Sequence, residues 1–216
     1  MSTCVQCQQP LQGDLAPHIC LACKRPQPLM GDEDFFQAFQ MAPRFQIERA
    51  SLDRHFFALS RALHPDRFSL SLPEIRQASL DRMSLINNAY QALSRPEERR
   101  VYLLKRNGLL QESSSGERRQ KAERPVSMEW AERWFDLQDE LDELDSVVAQ
   151  ERLMRFLEDL SAEEREVHSL LQDCERRYDV SLHRDELTQI EELMGRIAYF
   201  ASLKRNVERA RQMSGI

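Results

Sequence analysis

The stretch SLDRHFFALSRALHPDRFSLSLPEIRQASLDRMSLINNAYQAL, Ser51 to Leu93, carries two amphipathic periods on either side of a proline corner. Leu52, Phe56, Leu59 and Leu63 recur at a spacing of 4-3-4, which sets one apolar stripe along a helix. That helix must end near Pro65, because the pyrrolidine ring pushes the residue before it out of the α region. Beyond the corner, Ser71-x-x-Glu74 around Pro73 reads as a capping box that opens a second helix. There Met83, Ile86, Tyr90 and Leu93 repeat at 3-4-3. A second box, Ser94-x-x-Glu97 around Pro96, predicts a short basic helix that stops at Asn107-Gly108. The expectation is two antiparallel helices with a short third one behind them.

The corner itself, His64-Pro65-Asp66, has a chemistry. Pro65 restricts the turn, so Asp66 has little conformational freedom left to lose when its carboxylate accepts charge-assisted hydrogen bonds from a partner's arginine. His64 can brace the loop by hydrogen bonding. Arg54 and Arg61 lie one heptad apart on the side of their helix away from the apolar stripe, and with Arg67 they offer a positive face that would steer an acidic partner. An ordinary interhelical turn beneath a solvated face is the plainer alternative; the run Asn87-Asn88-Ala89-Tyr90-x-x-Leu93 in the following helix weighs against it. With these residues the block resembles a J domain, the module that activates DnaK-type chaperones. That resemblance implies chaperone binding and ATPase stimulation by His64, Pro65 and Asp66, supported by Arg54, Arg61 and Arg67.

A chain of 216 residues, 41% hydrophobic and 31% charged, has room for one or two small units rather than a large enzyme core. Few glycines and many Glu, Arg and Leu point to helices. No apolar run approaches a membrane span and Met1 to Pro10 is polar, so a soluble, cytoplasmic protein without a membrane partner is expected. The net charge of −6 is unevenly spread: Asp34 to Gly108 holds 12 Lys/Arg against 8 Asp/Glu, whereas Met128 to Asp145 holds 8 acids and only Arg133 as a base. Separate partners for the two regions follow more naturally than nucleic-acid binding. A zinc-dependent nucleic-acid adaptor is the reading from another class, but Lys24 and Arg25 are the only basic residues near the early cysteines. Neither a paired acid/base constellation nor a phosphate-cradling glycine loop is present, which argues against an enzyme.

Four of the five cysteines fall in the pattern Cys4-x-x-Cys7, a spacer of twelve, Cys20-x-x-Cys23. Two such knuckles can fold back so that four thiolates surround one ion tetrahedrally, with structural zinc the first choice. A segment this short cannot build an adequate core, so the metal would supply most of its folding free energy. A paired-disulfide tail and a redox-active Cys-x-x-Cys are the alternatives. His18 could replace a ligand but reads as a bystander, and Cys174, on an apolar stripe, reads as a buried small hydrophobe.

From Leu110 to Val126 no apolar period survives, which predicts a linker. Beyond it, Trp130, Trp134, Leu137, Leu141, Leu144 and Val148 form one stripe. Leu153, Leu157, Leu160, Val167, Leu171, Cys174 and Tyr178 form another, which Ser161-x-x-Glu164 could interrupt, and Leu187, Ile190, Met194, Ile197 and Ala201 a third. Three helices in an antiparallel bundle would bury them all. On the first helix, Glu132, Asp136, Asp139 and Glu143 make an acidic stripe, and Phe135 stands beside it with Ala131 one turn behind, a plausible apolar hot spot with an electrostatic rim.

A J domain, a linker and a C-terminal bundle that starts with the acidic run Phe135 to Glu143 resembles the HscB family, over Asp34 to about Met213. Some members of that family also carry an N-terminal tetracysteine module similar to Cys4 to Cys23. The resemblance implies an all-α protein with a zinc-binding module (1–30), a J domain (31–110), a linker (111–126) and a client-binding bundle (127–216). It further implies delivery of an IscU-like iron–sulfur scaffold to an HscA-type chaperone, with Ala131, Phe135, Asp136, Asp139, Glu143 and Tyr199 holding the scaffold. Ala131 and Glu132 depart from the larger apolar residues usual in the family. A J-protein whose zinc module selects a different client is the neighbouring alternative, and a monomer or weak homodimer is expected.

Overall fold

A computed structural model describes residues 3–31, 33–110, 128–141 and 146–214. Among them every regular element is helical: α1 (Phe35–Ala38), α2 (Arg49–Leu63), a 3-10 turn (Pro65–Phe68), α3 (Pro73–Ser94), α4 (Pro96–Arg106), α5 (Met128–Leu141), α6 (Ser146–Ser181) and α7 (Arg184–Ser214). The all-α expectation is met. Two compact units divide the chain, Met1–Arg106 and Asn107–Ile216, and the early cysteines belong to the first together with α1 to α4. The segment expected as a linker lies outside the described residues. No helix among those described is long and apolar enough to cross a membrane.

In the first unit α2 and α3 form a hairpin whose cross-links run in opposite order along the two helices. The Ser79 hydroxyl donates to the Leu63 carbonyl at 2.6 Å, the Tyr90 hydroxyl to Asp53 at 2.9 Å, and Arg49 to the Ser94 carbonyl at 3.0 Å. Leu52, Leu59 and Leu63 are buried between them with Ile86, Ala89 and Leu93, while Phe56 is half-buried and stacks on Tyr90 with ring centroids 4.1 Å apart. Each of the buried leucines and Ile86 contributes about 1.5–3 kcal/mol. Arg99 of α4 is buried and donates to the carbonyls of Phe45 and Leu93, which fixes α4 against the end of the hairpin.

Neither expected capping box forms. The Ser71 N–H is drawn back to the Phe68 carbonyl at 2.9 Å, so Ser71 belongs to the turn; Leu72 takes the N-cap position without a side-chain bond, and Pro73, which has no N–H to satisfy, opens α3. Ser94 is the last residue of α3 and its hydroxyl bonds the Gln91 carbonyl rather than capping α4. The stop after Arg106 is as expected, with Gly108 at φ +74.

The second unit is built on α6 and α7, antiparallel around a connection at Leu182 and His183. Arg177 pairs with Glu186 at 2.9 Å, Glu163 with Arg196 at 2.5 Å and Glu164 with Lys204. The polar Ser161–Glu164 segment does not break α6. Leu160 and Val167 sit a heptad apart on the core face, and the acids between them reach the cations of α7. Val148, expected on the first stripe, is exposed, because α5 ends at Leu141 and α6 restarts the period on Ala149, Leu153, Phe156 and Leu160. One core cluster joins Trp134 and Leu137 of α5, Leu153, Phe156, Leu160 and Val167 of α6, and Phe200, Leu203 and Val207 of α7. Leu144 lies outside the described residues.

Leu160 is fully enclosed, so Leu160→Ala should cost this unit about 2–5 kcal/mol. Urea unfolding followed by tryptophan emission reads this unit, since the chain's 2 tryptophans are Trp130 and Trp134. A loss below about 1 kcal/mol would mean that Leu160 is not part of a close-packed core.

Candidate functional site

The proline corner stands outside both helices. His64, at φ −55 and ψ +127, leaves the α conformation as a residue before proline must, and Pro65 starts the 3-10 turn. The His64 Nδ1 lies 3.4 Å from the Asp66 N–H, which donates to it, and the Ser69 hydroxyl donates to the Asp66 carbonyl at 2.9 Å. Phe68 is buried and pins the turn to the core. The Asp66 side chain is 91% exposed, and the His64 ring, with Nδ1 3.6 Å from a carboxylate oxygen, is its one close neighbour among the described residues. The corner is thus a rigid mount for one solvent-exposed carboxylate.

Beside it, the outward face of α2 carries Arg54 and Arg61, both exposed, and Arg67 follows in the turn. Arg54 approaches Glu48 at 3.9 Å, a solvated contact of little weight. The face also holds Phe57, 66% exposed, in the row 54-57-58-61. Sequence reasoning missed this residue. The signal was the Phe56-Phe57 doublet: only one of two adjacent residues can face the core of an amphipathic helix, and Phe56 takes that place against Tyr90. At the far end of the hairpin Arg49 bonds Asp53 at 2.7 Å and the Tyr90 hydroxyl at 2.8 Å, which holds the Asp53 carboxyl below its usual range.

The four early cysteines come together. Their sulfurs all lie within 4.8 Å of one another, with Cys4–Cys23 at 3.6 Å and Cys7–Cys20 at 3.7 Å. Four sulfurs placed tetrahedrally about an ion at about 2.3 Å would be about 3.8 Å apart, whereas a disulfide needs about 2.05 Å. The two knuckles repeat each other. In the first, the Cys4 N–H reaches the Gln9 carbonyl at 2.8 Å and Gln8 turns back to Cys4 at 3.0 Å with φ +61. In the second, the Cys20 N–H reaches Arg25 at 3.0 Å and Lys24 turns back to Cys20 at 2.8 Å with φ +58. Burial raises the Cys4 thiol, but N–H donors from Cys7 and Gln6 and the neighbouring thiols outweigh it and bring it down to about 6; burial pushes Cys23 up to about 12.

His18 stays outside the cysteine cluster, as expected, but has a structural part that the sequence did not show. It is fully buried, bonds the Ala38 carbonyl through Nε2 at 2.7 Å, and accepts from Arg82 at Nδ1 at 3.2 Å. Arg82, 2% exposed, also donates to the carbonyls of Gln27 at 2.8 Å and Pro28 at 2.7 Å and to Glu33 at 2.5 Å. One guanidinium on α3 therefore holds the cysteine segment onto the helical hairpin. A mid-helix arginine reads as surface in a sequence, which is why this anchor was not anticipated. Gln27 adds to it, accepting from the Val5 N–H at 3.0 Å and donating toward the Cys4 sulfur at 3.4 Å.

In the second unit α5 turns Trp134 and Leu137 inward and leaves Phe135, 64% exposed, with Glu132, Asp136 and Asp139 on the outside. Ala131 is half-buried one turn behind Phe135, and Glu143 lies outside the described residues. Tyr199 is half-buried against the core cluster with its ring 6.2 Å from Phe200, and no ring contact joins it to Phe135 among the described residues. Cys174 is buried as expected and touches Arg177 at 3.1 Å.

No family model matches the chain. Among curated proteins it is similar to a co-chaperone protein HscB homolog of Shewanella sp. strain MR-4, 31% identical over 172 residues, covering 74% of this chain and 98% of that one. A co-chaperone protein HscB homolog of Chromobacterium violaceum is 31% identical over 132 residues, covering 61% of this chain and 74% of its own. Among solved structures, human co-chaperone protein HscB matches with a TM-score of 0.61 and 19% identity over 97% of this chain and 98% of that one, a likeness of fold.

Replacing Arg82 by Ala leaves the Gln27 and Pro28 carbonyls and the Glu33 carboxylate without their donor, at a cost of about 3–5 kcal/mol. Amide hydrogen exchange should show lost protection across residues 4–27 before α6 and α7 are affected. Unchanged exchange in the cysteine segment would remove Arg82 as its anchor.

Proposed function

The chain belongs to the HscB co-chaperone family, and we propose on that ground that it docks on a DnaK/HscA-type chaperone through its proline corner, stimulates ATP hydrolysis there, and delivers an IscU-like iron–sulfur scaffold protein. The observation that carries the first half of this reading is the exposed Asp66 carboxylate on a corner that Pro65, Phe68 and the His64 ring hold still. An arginine of the chaperone's ATP-bound form would find its acceptor already oriented, so that docking favours the hydrolysing conformation without an ordering cost in the loop. Arg54, Arg61 and Arg67 bring in the acidic partner and set the encounter rate. The co-chaperone performs no covalent step in this scheme; it binds two proteins and couples them.

The client half of the reading rests on α5. Phe135 is a large apolar side chain held in water beside Asp136 and Asp139, an arrangement with a cost to the free protein and a use in a complex. Ala131, Glu143 and Tyr199 complete the proposed client set, Tyr199 from α7. Residues 31–110 would then be the J domain, 127–216 the client bundle and 111–126 the tether that raises the client's local concentration at the chaperone. Zinc is the proposed ion for Cys4, Cys7, Cys20 and Cys23, where it supplies a structural crosslink between the two knuckles. A cytoplasmic setting, where thiols stay reduced, goes with that proposal.

His64→Gln should reduce chaperone ATPase to its unstimulated rate while scaffold binding, measured by calorimetry, stays unchanged; full stimulation by that variant would falsify the proposal. Phe135→Ser should weaken scaffold binding by about 10- to 100-fold, the loss of an apolar hot spot, and leave stimulation in the absence of client as it was. An unchanged scaffold affinity would move the client site elsewhere on the bundle.

A further inference from the structure

We infer that the second cysteine knuckle is part of the chaperone-docking surface, adding Lys24 and an apolar ledge to the face made by α2 and the proline corner; this rests on the J-domain reading above. Two grooves lie where the knuckle meets the hairpin. One, of about 240 Å³, is lined by Leu15, Ile19, Cys20, Leu21 and Lys24 on the knuckle side and by Ala58, Arg61, Ala62 and Arg67 on the other. The second, of about 480 Å³, runs from Cys23, Lys24 and Arg25 across Arg67 to Phe68, Leu70, Ser71, Leu72 and Ile75. Lys24 and Arg67 line both, and Arg67 directly follows the Asp66 that the corner presents.

The chemistry of this surface is consistent along its length. Lys24, Arg25, Arg61 and Arg67 are all exposed, no carboxylate lines either groove, and none of the four is in a salt bridge among the described residues. Leu21, Leu70 and Leu72 are exposed between the charges, Leu70 fully. Arg25 donates to the Gln6 side chain at 2.6 Å and Arg67 to the Arg61 carbonyl at 3.5 Å, but no carboxylate neutralises any of the four, and cations in that state around leucines fit an acidic protein surface with apolar contacts of its own. Continuity with the corner names that surface as the chaperone proposed to bind there: Arg67 directly follows Asp66 and lines the same two grooves as Lys24, so a protein seated on Asp66 and Arg67 meets the knuckle's cation next. A nucleic acid fits less well: the one aromatic ring in the grooves, Phe68, is buried and offers no stacking face.

The position of Lys24 is not incidental. Its φ of +58 is imposed by the knuckle, whose Cys20 carbonyl takes the Lys24 N–H, and the knuckle is in turn held to α3 by Arg82 through Gln27 and His18. The cation is therefore mounted on the same rigid unit as the corner. That explains, without a separate partner, why a tetracysteine segment is packed onto this hairpin.

The test uses the full chain with its DnaK-type chaperone and reads the co-chaperone concentration for half-maximal ATPase stimulation at low and at physiological salt. Lys24→Glu and Leu70→Asp should each raise that concentration roughly 3- to 30-fold with maximal stimulation unchanged, and Lys24→Glu should flatten the salt dependence. Arg95→Glu, at the opposite end of α3 from Leu72, should stay within about twofold of the parent. Leu70 makes no buried contact, so its variant keeps the inference testable if the knuckle proves intolerant at Lys24; bound metal equal to the parent's shows that the knuckle is intact. Parent-like values for both variants overturn the inference while His64→Gln still abolishes stimulation, and an equal loss in Arg95→Glu overturns it as a non-specific charge effect. Binding of a single-stranded oligonucleotide that Lys24→Glu abolishes, with stimulation untouched, also overturns it. A His64→Gln protein that still stimulates removes the corner and the extended surface together.

Discussion

A guanidinium withdrawn from water is the constraint on which the first unit depends. Arg82 sits in the middle of α3, with two backbone carbonyls, the Glu33 carboxylate and the His18 ring as its partners, all of them in or just beyond the cysteine segment. A buried charge is tolerated only when its donors are met, and here they are met from chain that has almost no hydrophobic core of its own. The arrangement works in both directions. The knuckles owe their place on the hairpin to Arg82, and Arg82 owes its burial to knuckles that keep the Gln27 and Pro28 carbonyls in position. Whatever ion the four thiols hold would thus stabilise the packing around α3 as well as the knuckles themselves.

The proline corner is the opposite kind of feature, local and exposed. Its shape needs only three adjacent residues and one anchor: a residue forced out of the helix before Pro65, a 3-10 turn after it, and Phe68 pressed into the core. Because the helices on either side are held by Ser79 to Leu63 near the corner and by the Arg49–Asp53–Tyr90 network at the other end, the corner cannot drift relative to the basic face of α2. A carboxylate and a cationic face in fixed relation are what recognition of an oriented arginine on an acidic protein requires. The second unit shares none of these parts; it is a close-packed seam between α6 and α7 to which α5 adds Trp134 and Leu137 and from which Phe135 stands out.

Much of this was legible in the residues. The 4-3-4 stripe of α2, the end of that helix at Pro65 and the gathering of Cys4, Cys7, Cys20 and Cys23 were all readable because each depends on covalent geometry or on a short-range period. Other signals misled where a neighbour in space outbid a neighbour in sequence. Ser71 had the right spacing to cap α3, yet its backbone was already engaged by Phe68, and the break that Ser161-x-x-Glu164 left open as an alternative does not occur, because Arg196 and Lys204 supply partners from α7. Val148 seemed to continue one stripe when it lay at the start of another helix with a different phase.

The helices, the corner and the tetracysteine knuckles are written locally in the chain, since a proline, an apolar period and a ligand spacing act within a few residues of where they stand. It took the folded chain to show that Arg82 and His18 are buried and joined, and that Lys24 shares a groove with Arg61 and Arg67. Those outcomes turn on which distant groups meet in low-dielectric surroundings, and partners 64 residues apart leave no pattern in a single chain by which they could be matched.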